Sequence, residues 1–205
     1  MRFAIGPESA NVRLMPEPIE FLKSRKSISA QFLGPPGPSE AELTEILTVA
    51  SRVPDHGKLT PWRFILFKGE GRTLASTALA RLFAADHPEA DEKQVAEEGR
   101  RLARAPVVVG VVSTAAPHPK IPEFEQLLSA GNAAMGILNA ANALGYGAQW
   151  TTGWIAYDRR AGDLLGLKPA ERFVAFVHIG TPTAPPIERP RPDLADIVSE
   201  WRPAD

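Results

Sequence analysis

The sequence contains no cysteine, which excludes a disulfide framework, a thiol nucleophile, thiolate-bound zinc and iron–sulfur clusters. Neither sign of charge is in excess. With 23 basic and 24 acidic residues the net charge is -1, so no global field recruits nucleic acid or an acidic membrane surface. No uninterrupted apolar run reaches membrane length, and the apolar stretch within Met1–Glu8 is too short for the core of a signal peptide. These absences point to a cytoplasmic protein with a small-molecule ligand, without nucleic-acid or membrane partners.

Familiar catalytic templates are missing as well. Gly69-Glu70-Gly71-Arg72 lacks the later glycine and the Lys-Ser/Thr pair of a phosphate loop. Gly145-Tyr146-Gly147 lies between a helix and a strand, the reverse of a dinucleotide-binding turn. His56, His87, His118 and His178 show no paired metal-ligand spacing, and no Gly-x-Ser-x-Gly elbow occurs. Hydrolase and metalloenzyme readings are therefore poor; no metal ligand and no catalytic residue is assigned.

What is present suits one domain over residues 1–205, since 205 residues at 44% hydrophobic composition can build a sizeable core. An aperiodic N-terminal arm runs over residues 1–16. Pro18 opens a short helix through Ile19, Phe21 and Leu22. Gly34 to Pro38 forms a stiff connector, and Ser39 with Glu42 makes a capping box ahead of Leu43, Ile46, Leu47 and Ala50 at helical spacing. Trp62 to Phe67 reads as a strand closed by a turn at Gly69 and Gly71, and Arg72 to Arg104 as exposed helix broken near His87-Pro88.

Pro106 to Val112 is β-branched and apolar without alternation, which suits a strand covered on both faces. Glu123 to Leu144 is a helix apolar nearly all round, whose small residues Gly131, Ala133, Ala134, Gly136, Ala140 and Ala141 admit close neighbours; it is a central helix and a candidate dimer axis. Tyr146–Thr152 and Phe173–Ile179 read as strands separated by a helix that Asp158 begins and Gly166 stops. Residues 182–205 form a proline-rich tail, extended along a surface, with an amphipathic end at Leu194, Ile197, Val198 and Trp201. Such a tail suits embrace of a partner chain.

Polar residues gather at the ends of these elements. Ser24-Arg25-Lys26-Ser27-Ile28-Ser29 combines the planar fork of Arg25 with hydroxyls at Ser27 and Ser29, a phosphate-binding set, although two basic residues between serines also make an ordinary helix end. Arg52 either caps the helix before it or meets a ligand; His56 either bonds the turn or does the same. Asp55 stabilises the Pro-Asp turn. Trp150 alone reads as a core aromatic and Thr151-Thr152 as strand residues, while Glu123 and Glu125 complement a helix dipole.

Taken in order, these segments resemble the nitroreductase family of FMN-dependent oxidoreductases from about Phe21 to Pro182, most of all its short bacterial YdjA-type branch. The marks are Arg25-Lys26-Ser27, Pro54-Asp55-His56 followed by Pro61-Trp62-Arg63-Phe64, Ser129-Ala130-Gly131, Gly145-Tyr146-Gly147 and Ile179-Gly180-Thr181-Pro182. The resemblance implies an α+β fold, a mixed β-sheet sandwiched by helices, with the long central helix at a homodimer interface and two FMN molecules held there. It further implies ping-pong electron transfer from NAD(P)H to a small acceptor such as a nitroaromatic or quinone. A flavin store or sensor without significant turnover is the alternative.

Carried over by position, Arg25, Lys26 and Ser27 hold the FMN phosphate and ribityl end, and Trp150, Thr151 and Thr152 lie beside the isoalloxazine. Arg52 and His56 reach in from the other subunit. Two departures stand out: many relatives carry a cation where this chain has Ser29, and YdjA-type chains carry arginine where it has Thr151. A missing cation near the pyrimidine edge lowers the flavin potential unless Arg52, Arg189 or Arg191 substitutes.

Overall fold

The computed structural model describes residues 18–203; the expected N-terminal arm lies outside them. In chain order the elements are α1 (Pro18–Ser24), a 3-10 turn Ala30–Phe32, β1 (Leu33–Gly34), α2 (Glu40–Ala50) and β2 (Trp62–Lys68). These are followed by α3 (Gly69–Asp86), α4 (Glu92–Glu98), β3 (Val107–Ser113), α5 (Glu123–Ala143) and β4 (Gly147–Thr151). The rest comprises α6 (Trp154–Tyr157), α7 (Arg159–Leu164), β5 (Arg172–Pro182) and α8 (Leu194–Ile197).

Local chemistry accounts for several boundaries. Ser39 accepts from the Glu42 N–H while the Glu42 carboxylate accepts from the Ser39 N–H, so α2 begins at the expected capping box. Asp158 caps α7 by accepting from the Arg160 and Ala161 N–H groups. The expected Gly69/Gly71 turn is instead the start of α3. Gly69 holds φ at 52°, which reverses the chain directly out of β2 and leaves no separate turn. The one-turn α6 and two-residue β1 carry too few residues to show a period.

The sheet runs β1-β5-β3-β2, with β4 also on β5. Every pairing among the described residues is antiparallel, because β5 runs against β1, β3 and β4 and β2 runs against β3. The α+β class holds, and this antiparallel sheet replaces the mixed one that the resemblance implied.

β3 is buried along its whole length. Its alternate side chains feed two cores: Val107, Val109 and Val111 join Leu43 and Ile46 of α2 and Ile137 of α5, while Val108 and Val112 join Leu79 of α3, Leu102, Ile155, Phe173 and Phe176. Helices thus cover both faces, as the unalternating valine run requires, and each buried valine contributes on the order of 1.5–3 kcal/mol. α5 packs tightly on α2 at Gly136, where a Cβ would lie 2.8 Å from the Ala50 Cα. Elsewhere on its surface Phe124 and Leu128 are exposed at 68% and 50%, so α5 is not buried all round by its own chain. The tail beyond β5 is exposed from Pro185 onward, including Leu194, Ile197, Val198 and Trp201. No helix among the described residues is long and apolar enough to cross a membrane.

Candidate functional site

After α1 the chain lies against the edge of β4. The Ile28 N–H donates to the Ala148 carbonyl at 3.1 Å and the Ala30 N–H to Gln149 Oε1 at 2.6 Å. Ile28 turns inward and is buried with Leu33 and Ala105. In an extended segment its neighbours must then turn outward, and Ser27 and Ser29 are both exposed. Among the described residues neither the Arg25 guanidinium nor the Ser27 hydroxyl has a hydrogen-bond or ion-pair partner. Lys26 is different: its Nζ lies 2.5 Å from Glu188 Oε2 in the tail, and Arg191 lies 3.7 Å from the same carboxylate. The Lys26 charge holds the Glu188 carboxyl below the usual carboxylate range.

The strand period divides the three residues expected beside a flat ring. Trp150 pairs with Val177 and faces α5, where its ring lies 4.0 Å from a Cβ built on Gly131; it remains 37% exposed. Thr151 pairs with Phe176 on the opposite face. Its hydroxyl lies 3.3 Å from the Phe176 carbonyl and 3.2 Å from His178 Nε2. Thr152 follows the strand and is half-buried. Behind Thr151, His178 is 2% exposed and its Nδ1 has no partner among the described residues. Burial, reinforced by the charges of Arg104 and Arg101, pushes its pKa down to about 4, so the imidazole is neutral at pH 7.

Arg52 and His56 belong to a second place, the loop after α2. Asp55 ties this loop as expected, accepting from the Leu59 N–H at 3.0 Å and the Thr60 N–H at 2.8 Å. These bonds hold Lys58 and Thr60 in the left-handed region, at φ of 57° and 48°. Ser129 of α5 donates to the Pro54 carbonyl at 2.7 Å and accepts from Trp62 Nε1 at 3.2 Å, fastening the loop to the helix. His56 Nδ1 lies 2.7 Å from Glu125 Oε2, both side chains being exposed. The Arg52 side chain is exposed and bonds no helix carbonyl, although its backbone N–H donates to the Val49 carbonyl at 3.0 Å; the Ser51 hydroxyl caps Leu47.

One chain therefore gathers Arg25, Lys26, Ser27, Trp150 and Thr151 around β4, and sets Arg52 and His56 on a loop anchored to α5. Sequence reasoning missed Glu188 at Lys26, His178 behind Thr151 and Glu125 as the partner of His56. Each contact joins residues 27 or more positions apart, beyond any local spacing signal.

The nitroreductase family model matches residues 22–181. YdjA from Escherichia coli (strain K12), which carries an NAD(P)H nitroreductase name, is 33% identical over 164 residues, covering 80% of this chain and 87% of that protein. A Haemophilus influenzae protein bearing the same type of name is 34% identical over 160 residues, covering 78% of this chain and 83% of that one. Among solved structures, the nitroreductase-like family protein from Bacillus cereus superposes with a TM-score of 0.76 at 21% identity, over 97% of this chain and 99% of that chain. A nitroreductase with bound FMN from Bacteroides fragilis NCTC 9343 superposes with a TM-score of 0.64 at 18% identity, over 90% and 98%. The match extends from α1 into β5 and takes in both the β4 cluster and the Pro54–His56 loop: the chain belongs to the nitroreductase family.

Proposed function

We propose that the chain is a single-domain FMN-dependent oxidoreductase that carries electrons from NAD(P)H to a small electron-poor acceptor such as a nitroaromatic or quinone, working as a homodimer. The observation that carries this reading is the pair of donors without partners among the described residues, Arg25 and Ser27, laid along the strand that presents a partly exposed Trp150. A phosphate of about -1.5 to -2 charge calls for a charged fork and hydroxyls. A flat ring calls for an apolar surface with few polar handles. The donor set fits FMN, and the names of the relatives agree: YdjA is called an NAD(P)H nitroreductase, and the Bacteroides fragilis protein was solved with FMN.

In this reading Arg25, Lys26 and Ser27 bind the phosphate and ribityl end, and Trp150, Thr151 and Thr152 border the ring. Arg52 and His56 of the partner subunit complete the site. The exposed Phe124 and Leu128 on α5 offer a surface to bury against a second copy. When bound, FMN supplies hydride chemistry at N5; the chain's own residues position it and set the charge around it.

Two observations test the reading. Purified protein is expected to be yellow and to release non-covalent FMN on denaturation, and stopped-flow mixing with NADH or NADPH to bleach it rapidly. Protein that remains colourless after incubation with FMN refutes the assignment, and slow bleaching with both donors refutes turnover while leaving a flavin store.

A further inference from the structure

We propose that Arg101 is the cation that tunes the flavin site, acting across Gly153 on the negative charge that the ring gains on reduction; this rests on the FMN reading above. Hydride transfer from NAD(P)H delivers two electrons and one proton and releases NAD(P)+. The uncharged ring therefore gains one negative charge, lost again when the acceptor takes the electrons. A fixed positive charge beside the ring favours the reduced form and raises its potential.

The chain places such a charge at the exit of β4. Arg101 sits in the segment between α4 and β3, whose Leu102 and Ala105 are fully buried. Its Nε and Nη2 donate to the two carboxylate oxygens of Glu98, both at 2.6 Å, and Glu98 Oε2 also accepts from Trp154 Nε1 at 2.7 Å. The two side chains are 24% and 15% exposed. The fork is thus held rigidly, with Nη1 as the end that Glu98 does not use and that has no hydrogen-bond partner among the described residues.

That end faces Gly153. A Cβ at this glycine would lie 2.9 Å from Arg101 Nη1, and the backbone stands at φ 77°, ψ -174°, so glycine serves both the conformation and the approach. Gly153 directly follows Thr152, the last residue assigned to the ring. The charge also reaches behind the strand, since Arg101 is among the groups that disfavour protonation of His178, the partner of Thr151. Arg101 thus presents its Nη1 end to Gly153 while its other nitrogens hold Glu98, which in turn holds Trp154.

The geometry gives two variants opposite signs. Arg101→Gln leaves the Glu98 carboxylate uncompensated and is expected to weaken reduced FMN relative to oxidised FMN by about tenfold, the order expected for one charge near a protein surface. For a two-electron couple that is a fall of about 30 mV. Glu98→Gln leaves Arg101 uncompensated and should shift the potential upward by a similar amount, whereas Arg101→Lys keeps the charge, loses the fork and should stay near wild type. Midpoint potentials from spectroelectrochemical titration of the FMN-loaded proteins, with FMN dissociation constants from fluorescence quenching, provide the readout.

Equal potentials, or shifts of the same sign in Arg101→Gln and Glu98→Gln, overturn the proposal and mark the pair as purely structural. If Arg101→Gln does not fold, an upward shift in Glu98→Gln with Arg101→Lys unshifted sustains it, and any other combination overturns it. Wild-type protein that takes up no FMN refutes the FMN reading and this inference together; wild-type protein that binds FMN without the opposed shifts refutes this inference alone.

Discussion

Acidification should destabilise this protein through one imidazole. His178 is buried between β3 and β4, opposite Val108 on one side and Gln149 on the other, with Nδ1 unpartnered among the described residues and the charges of Arg104 and Arg101 near it. Its pKa is about 4 in the folded chain against an ordinary 6.5. Because the folded value is depressed, the unfolded chain binds the proton first as pH falls. The stability linked to His178 is therefore fully present above pH 6.5 and is lost progressively down to pH 4. At about 1.4 kcal/mol per pH decade, the interval from 6.5 to about 4 amounts to about 3 kcal/mol, with about 2 kcal/mol gone by pH 5. Urea unfolding of wild type and His178→Leu at pH 7, 5 and 4 measures it. Leucine removes the titrating ring and the orphaned nitrogen while the Thr151 hydroxyl keeps the Phe176 carbonyl. Carboxylates that titrate in the same window do so in both proteins, so the difference isolates the imidazole. Wild type is expected to lose about 3 kcal/mol more than the variant between pH 7 and pH 4. Parallel pH profiles would refute the reasoning and mean that His178 is protonated in the native state with little penalty.

Arg25→Ala should weaken FMN binding by about 1.5–3 kcal/mol, the range for a hydrogen bond to a charged group, and leave riboflavin nearly unchanged; calorimetric titration with both flavins separates a phosphate contact from a general loss of the site. Glu188→Gln removes the carboxylate now paired with Lys26 and should tighten FMN by about two- to fivefold without affecting riboflavin. An unchanged FMN affinity would show that the tail carboxylate does not compete for Lys26. If the site is shared between two subunits as proposed, heterodimers of Arg25→Ala with Arg52→Ala/His56→Ala should regain about one tight FMN per dimer under conditions where each parent binds poorly, since one of the two sites would then carry no lesion. Tagged heterodimers without a tight site would confine all four residues to a site within one chain.

Wherever a few adjacent residues decide the outcome, the sequence alone was sufficient. The Ser39–Glu42 box starts α2 because both partners lie within one turn, and Asp55 closes its loop through the N–H groups of Leu59 and Thr60. Val107 to Val112 announces a strand covered on both faces because side chains alternate across a sheet and every one of them is apolar. Family membership was readable for a related reason: the order of several short motifs along the chain is itself sequence information.

Tertiary structure decided which distant residues meet. Trp150 and Thr151 are neighbours in the chain, yet pairing with β5 sends one toward α5 and the other toward His178. Lys26 finds its carboxylate at Glu188 only because the tail returns past α1, and His56 finds Glu125 only because Ser129 fastens the loop to α5. Arg101 comes to Gly153 through the packing of the segment between α4 and β3, and the Glu98–Arg101 spacing in the sequence does not foretell it. Backbone chemistry acts within a turn or a strand period and leaves its pattern in adjacent residues, whereas charge and burial act through space and depend on how the folded elements are laid side by side.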